Sequence, residues 1–216
     1  MSVNNNSLGK IEKRVYSKEY QTIILDVKNY NYEDAHDQVE KTLKTNFEQL
    51  REDGILWIVC SNKKENGIFQ PIPFLLAEEL LNKGLKLKNI IIWPDFKDGN
   101  NSSIFIDITN YILFFTKSDD YHFNIDPIRE SHIWKDVEWG KRNKNYHEKG
   151  KNPGNVWIKT KDDGKGNITE HIPLSYIDMI KRILKCSSRK CYSVLLKNIE
   201  TQKGLELEGV KIVYEM

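Results

Sequence analysis

Cysteine is scarce in this chain: three residues in 216, at positions 60, 186 and 191. They form no disulfide framework and no paired Cys-x-x-Cys ligand set. Cys60, inside an apolar run, reads as a buried thiol. No excess of one charge sign exists either, since 33 Lys and Arg against 31 Asp and Glu leave a net charge of +2. The whole molecule is therefore no general polyanion binder, and any nucleic-acid contact must come from local patches or from a partner. No apolar run approaches the ~18 residues of a membrane span. The opening MSVNNNSLGK has no apolar signal-peptide core, which predicts a soluble intracellular protein. Histidines stand at 36, 122, 132, 147 and 171 without metal-ligand spacing, so no metal is expected.

What is present reads as one globular unit. The length suits a single well-buried domain. A composition 39% hydrophobic, 30% charged and 11% aromatic argues against wholesale disorder. Residues 1–18 are polar and Asn-rich and read as a flexible arm, leaving 19–216 as the domain. The β-branched run Gln21–Leu25 ends at Asp26 as a buried parallel strand would. Ala35, Val39, Leu43, Phe47 and Leu50 recur at helical spacing, predicting a helix over 33–50. After Gly54, residues 55–60 read as a central strand.

Pro71 and Pro73 open a helix that runs through Leu81 and stops at Gly84. Residues 88–93 and 111–116 read as strands able to pair as an antiparallel edge ribbon. Residues 125–155 show no sustained period and read as an extended basic loop. A further helix is predicted over 173–187, then short strands over 192–196 and 210–214. This alternation argues for a three-layer α/β sheet, in which ligands gather outside the carboxyl ends of the strands. Gly164-Lys165-Gly166 lacks the full phosphate-loop pattern and reads as a turn between extended segments.

Several blocks occur in a fixed order: GILWIVCSNKK from Gly54, GLKLKNIIIW, NYILFFTKSDDYHFN, NPGNVWIK, and HIPLSYIDMIKRILKCSS ending at Ser188. Together they resemble the scaffold of DNA amino-methyltransferases, which use S-adenosylmethionine to methylate the exocyclic amine of adenine or cytosine. The resemblance implies a Rossmann-like methyltransferase fold, a three-layer sheet with an antiparallel edge pair. In that family a strand ends in Asp-Pro-Pro-aromatic. Its oxygens hold the amine of an extruded base and its ring stacks on that base. Here Asp26 is followed by Val27, Lys28 and Asn29, and Tyr30 supplies a ring only if the loop carries one extra residue. Lys28 also brings a cation toward an amine that must stay electron-rich. Read without the family, Asp26 simply caps the segment that follows.

The family also ends a later strand in Asp-Pro-Phe with a glycine-rich turn, which lets the cofactor approach the backbone. Leu196, Lys197 and Asn198 stand there, and no glycine follows until Gly204. Glu215 ends the strand whose acidic residue would hold the cofactor ribose and reads as a relic. With both motifs degenerate, the resemblance implies no catalytic residue and no cofactor bound by this chain. S-adenosylmethionine is then expected in a catalytic paralogue forming a heterodimer with it.

The chain is most similar to the inactive methyltransferase-like subunit of the ciliate nuclear DNA N6-adenine methyltransferase complex. This implies a nuclear location and accessory DNA-binding subunits; the alternative location is a bacterial cytoplasm. The run from Lys141 to Lys151 carries five cations against one Glu. With Trp139 and Tyr146 interleaved, it marks Lys141, Arg142, Lys144, Lys149 and Lys151 as candidate DNA contacts. A second basic cluster, Lys181, Arg182, Lys185, Arg189 and Lys190, reads as the exposed face of its helix. Two rival expectations stand beside the pseudoenzyme: an active but divergent DNA adenine or cytosine amino-methyltransferase, and a stand-alone nucleic-acid-binding module.

Overall fold

The apolar run that opens the domain becomes β1 (Tyr20–Asp26), with all seven residues buried. Burial on both faces is what a central parallel strand requires. The computed structural model describes residues 20–95, 105–132, 146–165, 167–199 and 205–216; the expected arm at 1–18 lies outside them. Next comes α1 (Tyr32–Asn46), capped by Asn31, whose side chain accepts from the Asp34 amide, and buried through Ala35 and Val39. A single 3₁₀ turn over 47–49 ends it. Leu50, expected in the helix, instead heads β2 (Leu50–Ser61) and is fully buried there. Its three-residue spacing from Phe47 imitated a helical stripe although it belongs to the next strand.

The hairpin β3 (Lys63–Glu65) and β4 (Ile68–Gln70) was not expected, although its Asn66-Gly67 turn, both residues at positive φ, is the strongest short hairpin signal. Then follow α2 (Ile72–Asn82), β5 (Lys86–Pro94) and β6 (Thr109–Thr116). The described residues of 125–155 hold a 3₁₀ turn over 126–128 and an antiparallel bridge between Glu130 and Lys151. The hairpin β7 (Ile158–Asp162) and β8 (Ile168–Pro173) flanks the expected glycine turn. Helix α3 (Tyr176–Ser187) begins three residues later than expected, because Pro173 closes β8 and Ser175 caps the helix by accepting from the Asp178 amide. The chain then forms β9 (Ser193–Lys197) and β10 (Lys211–Glu215).

Six strands make the main sheet in the order β10-β9-β1-β2-β6-β5. β10, β9, β1 and β2 pair in parallel; β6 runs antiparallel to both β2 and β5, so the expected antiparallel edge pair is present. One core layer packs Leu25, Leu56, Ile58 and Phe115 with Ala35 and Val39 of α1 and Leu76 and Leu80 of α2. The other packs Ile24, Trp57, Phe114 and Leu196 with Met179, Ile180 and Ile183 of α3. Alternate residues of each strand thus serve opposite layers, giving the three-layer α/β architecture. Among the described residues no helix is long and apolar enough to cross a membrane.

Candidate functional site at the strand ends

Register brings the two motif positions singled out in the sequence side by side. Leu25 of β1 pairs with Lys197 of β9, and Lys197 pairs with Glu215 of β10, so Asp26, Lys197 and Glu215 finish three neighbouring parallel strands. Asp26 is 4% exposed. Its Oδ1 accepts the Lys28 amide at 2.9 Å, and its Oδ2 accepts the Tyr176 hydroxyl at 2.6 Å and the Lys28 ammonium at 3.4 Å. Burial raises its carboxyl above the ordinary value, while the charge on Lys28 and the hydrogen bonds from Tyr176 and Lys28 pull the other way. Asp26 therefore both caps the turn, as the family-free reading expects, and anchors a contact across 150 residues of chain.

The loop after Asp26 packs its hydrophobic residues inward. Val27 is 1% exposed, packs into the α1–α2 layer and donates its amide to the Val59 carbonyl at 2.8 Å. Tyr30 packs against that same layer, half-buried. The ring beside Asp26 belongs to Tyr176, the first residue of α3, with the Lys28 ammonium 4.5 Å above it and the Trp93 ring 6.0 Å away. Sequence reasoning missed Tyr176 and Trp93. The Ser175-x-x-Asp178 capping signature would have located the helix start and hence Tyr176, whereas nothing local marks Trp93. Lys28, Asn29, Ser61, Trp93 and Asp107 line a small polar cleft of about 150 Å³ here.

At the neighbouring strand end Lys197 is 3% exposed, and its ammonium donates to Asn46 Oδ1 at 2.8 Å and Glu215 Oε2 at 3.0 Å. Asn46 in turn donates to Glu215 Oε1 at 3.3 Å. Asn198 takes the left-handed turn (φ 57°) that glycine usually supplies, and its side-chain amide donates to Gln38 of α1. Leu196 is buried in the α3 layer, and Ile199 packs there too. Side chains thus fill the strand end, and an internal cation meets the acidic group at the tip of β10. Asn46, placed by the end of α1, was invisible to the sequence reading.

The basic loop divides. Lys141, Arg142 and Lys144 lie outside the described residues. Lys149 is committed to Asp126 at 2.6 Å, and with Arg129 it holds that carboxyl down to about 2. Lys151 is exposed, and its backbone pairs in both directions with Glu130. In the second basic cluster Arg182 is not on an exposed face: it pairs with Glu130 at 2.9 Å and lies over Trp157. Its guanidinium covers an indole that the loop brings against α3, which helical spacing alone does not show.

His36, Glu40 and Glu79 bring three ligand-type atoms within 4.8 Å of one another. Lys83 sits 2.7 Å from Glu40 and 3.6 Å from Glu79, however, so an ammonium already supplies the positive charge. Burial pushes the Cys60 and Cys186 thiols far up, which leaves them chemically inert.

Comparison with known proteins bears on the family. A family model described as DNA methylase, of the N6/N4 type, matches residues 7–195. The Type II methyltransferase M1.MboII of Moraxella bovis is 32% identical over 159 residues, 66% of this chain. The chain spans 58% of that relative's length. Among solved structures, the cytosine-N4-specific PvuII DNA methyltransferase superposes with a TM-score of 0.60 at 15% identity, covering 94% of this chain and 77% of its own. A candidate DNA modification methylase from Thermus thermophilus gives 0.57 at 16% identity, covering 92% and 81%. At such identities the structures establish the methyltransferase fold, and the match over most of the sequence establishes kinship: this chain belongs to the N6/N4 DNA methylase family.

Proposed function

We propose that the chain serves DNA amino-methylation as a non-catalytic, methyltransferase-like subunit. It would pair with an active S-adenosylmethionine-dependent paralogue, stabilise it by binding its folded form, and add contacts to DNA. One observation carries this reading: the Lys197 ammonium, buried at the end of β9, is bound to Glu215 and Asn46 where the family opens a glycine turn to the cofactor. S-adenosylmethionine is a net cation, a sulfonium and an ammonium against one carboxylate, so a buried ammonium ahead of the acidic group opposes it by charge as well as by volume. At the adjacent strand end Lys28 stands over Tyr176 and on Asp26, which opposes an electron-rich base amine. The nuclear location belongs to this reading.

A second reading has its own support. The Moraxella relative bears the name of a Type II methyltransferase, and Asp26 with Tyr176 keeps an acceptor and a ring together at the strand end. On that reading the chain is an active, divergent adenine or cytosine amino-methyltransferase of a bacterial cytoplasm. Calorimetric titration of S-adenosylmethionine into the purified chain separates the two. No heat up to about millimolar ligand, from protein shown to be folded, is expected on the first reading; at that affinity binding is worth only about 4 kcal/mol. Saturable one-to-one binding selects the second.

A further inference from the structure

Away from the strand ends, the β7–β8 hairpin and residues from 130–132 and 146–156 line a cleft of about 540 Å³. One wall carries two rings: His132 and Tyr146 lie 4.7 Å apart between centroids, tilted by 49°. The His132 ring is held by its Nε2, 3.1 Å from the His147 carbonyl. The hairpin lines the cleft with Ile158 and Ile168, the latter 47% exposed, beside Thr160 and His171. Lys151, exposed, also lines the cleft, its backbone fixed by two hydrogen bonds to Glu130. The Glu130 carboxylate is occupied by Arg182, so it does not cancel that charge. Among the described residues the Lys151 ammonium has no anionic partner.

A cleft lined by two half-buried rings and by aliphatic side chains accepts a flat, partly polar ring, and an exposed ammonium beside it accepts an anion. A nucleotide joins those two groups at that scale. We propose that this cleft takes one unstacked base of a DNA strand, its ring against Tyr146 and His132 and its phosphate on Lys151. The choice of DNA rests on the family reading above; the cleft itself is distinct from the strand-end sites.

The test is fluorescence anisotropy of the full chain with a labelled single-stranded oligodeoxynucleotide of about eight nucleotides, against an abasic backbone of equal length. The intact strand is expected to bind at least about tenfold more tightly than the abasic one. Tyr146→Ala removes most of that difference, Tyr146→Phe keeps it, and Lys151→Ala lowers the salt slope by about 0.7. Circular dichroism of each variant shows that it folds. Equal binding of intact and abasic strands overturns the proposal, as does unchanged affinity in Tyr146→Ala or no measurable binding at low salt. Binding of an apolar peptide in the cleft without any DNA affinity overturns it in favour of a protein partner, and tighter binding of the ribonucleotide strand overturns the assignment to DNA. The cofactor titration does not depend on the cleft, so failure here and failure of the functional reading are seen separately.

Discussion

Lys197 shows how one residue decides the chemistry of a strand end. A buried ammonium is costly unless its charge is matched, and here Glu215 and Asn46 match it. Truncating it leaves a carboxylate facing a partly dry pocket. Lys197→Ala is therefore expected to lose about 2 kcal/mol of unfolding free energy in urea. That is less than the ~3–5 kcal/mol typical when a fully buried pair is broken, because the Glu215 side chain is 39% exposed. A loss below about 0.5 kcal/mol would mean that the cluster is incidental to the fold. The roles of Lys197 and Glu215 were partly legible, since both stand at motif positions. Their contact with each other and with Asn46 was not, because it depends on how α1 ends over the sheet.

Elements were read best where burial was symmetric. β1 and β9, buried on both faces, stood out as short apolar runs, and α3 showed its apolar face plainly. The 47–54 stretch misled, since Leu50 leaves the helical stripe to start β2. Gly54 lies inside β2 at a register irregularity opposite Gln21 and is not a break between elements. A Cβ there would stand 2.9 Å from the Arg51 carbonyl oxygen, 3.0 Å from that of Gln21, and 2.7 Å from a Leu50 methyl. Two of those three obstacles are backbone and cannot rotate away. Gly54→Ala is expected to cost about 2 kcal/mol, lowering the thermal midpoint by roughly 6 °C in a chain of this size. An unchanged midpoint would show that β1 and β2 can shift past each other at the bulge.

At the scale of the whole molecule, stability is linked to pH through groups whose proton affinity changes on folding. Burial, with Arg189 nearby, lowers the His122 pKa below its ordinary 6.5, only partly offset by Asp53. The unfolded chain then takes up a proton on acidification before the folded one does, so stability present above about 6.5 is lost as pH falls through the folded value. Asp119, held down to about 2 by Lys86 and Lys88, and Asp126, held there by Lys149 and Arg129, titrate too low to enter this window. Asp26, raised by burial, acts with the opposite sign and is common to wild type and variant. Between about pH 7.5 and 5.5 the wild type is expected to lose more stability than His122→Gln, measured as the difference in urea midpoints. Parallel curves for the two proteins would remove His122 from the linkage.

The order of apolar runs and turn residues by itself determined the α/β class and the strand that ends at Asp26. Those features are local or periodic, and burial imposes them directly on composition. Only the tertiary structure decided which ring stands beside Asp26, which partners hold Lys197, and that His132, Tyr146 and Lys151 share a cleft with Ile158 and Ile168. Each of those contacts joins segments whose pairing is set by sheet order and packing across the core, and a linear pattern carries no record of which distant faces meet.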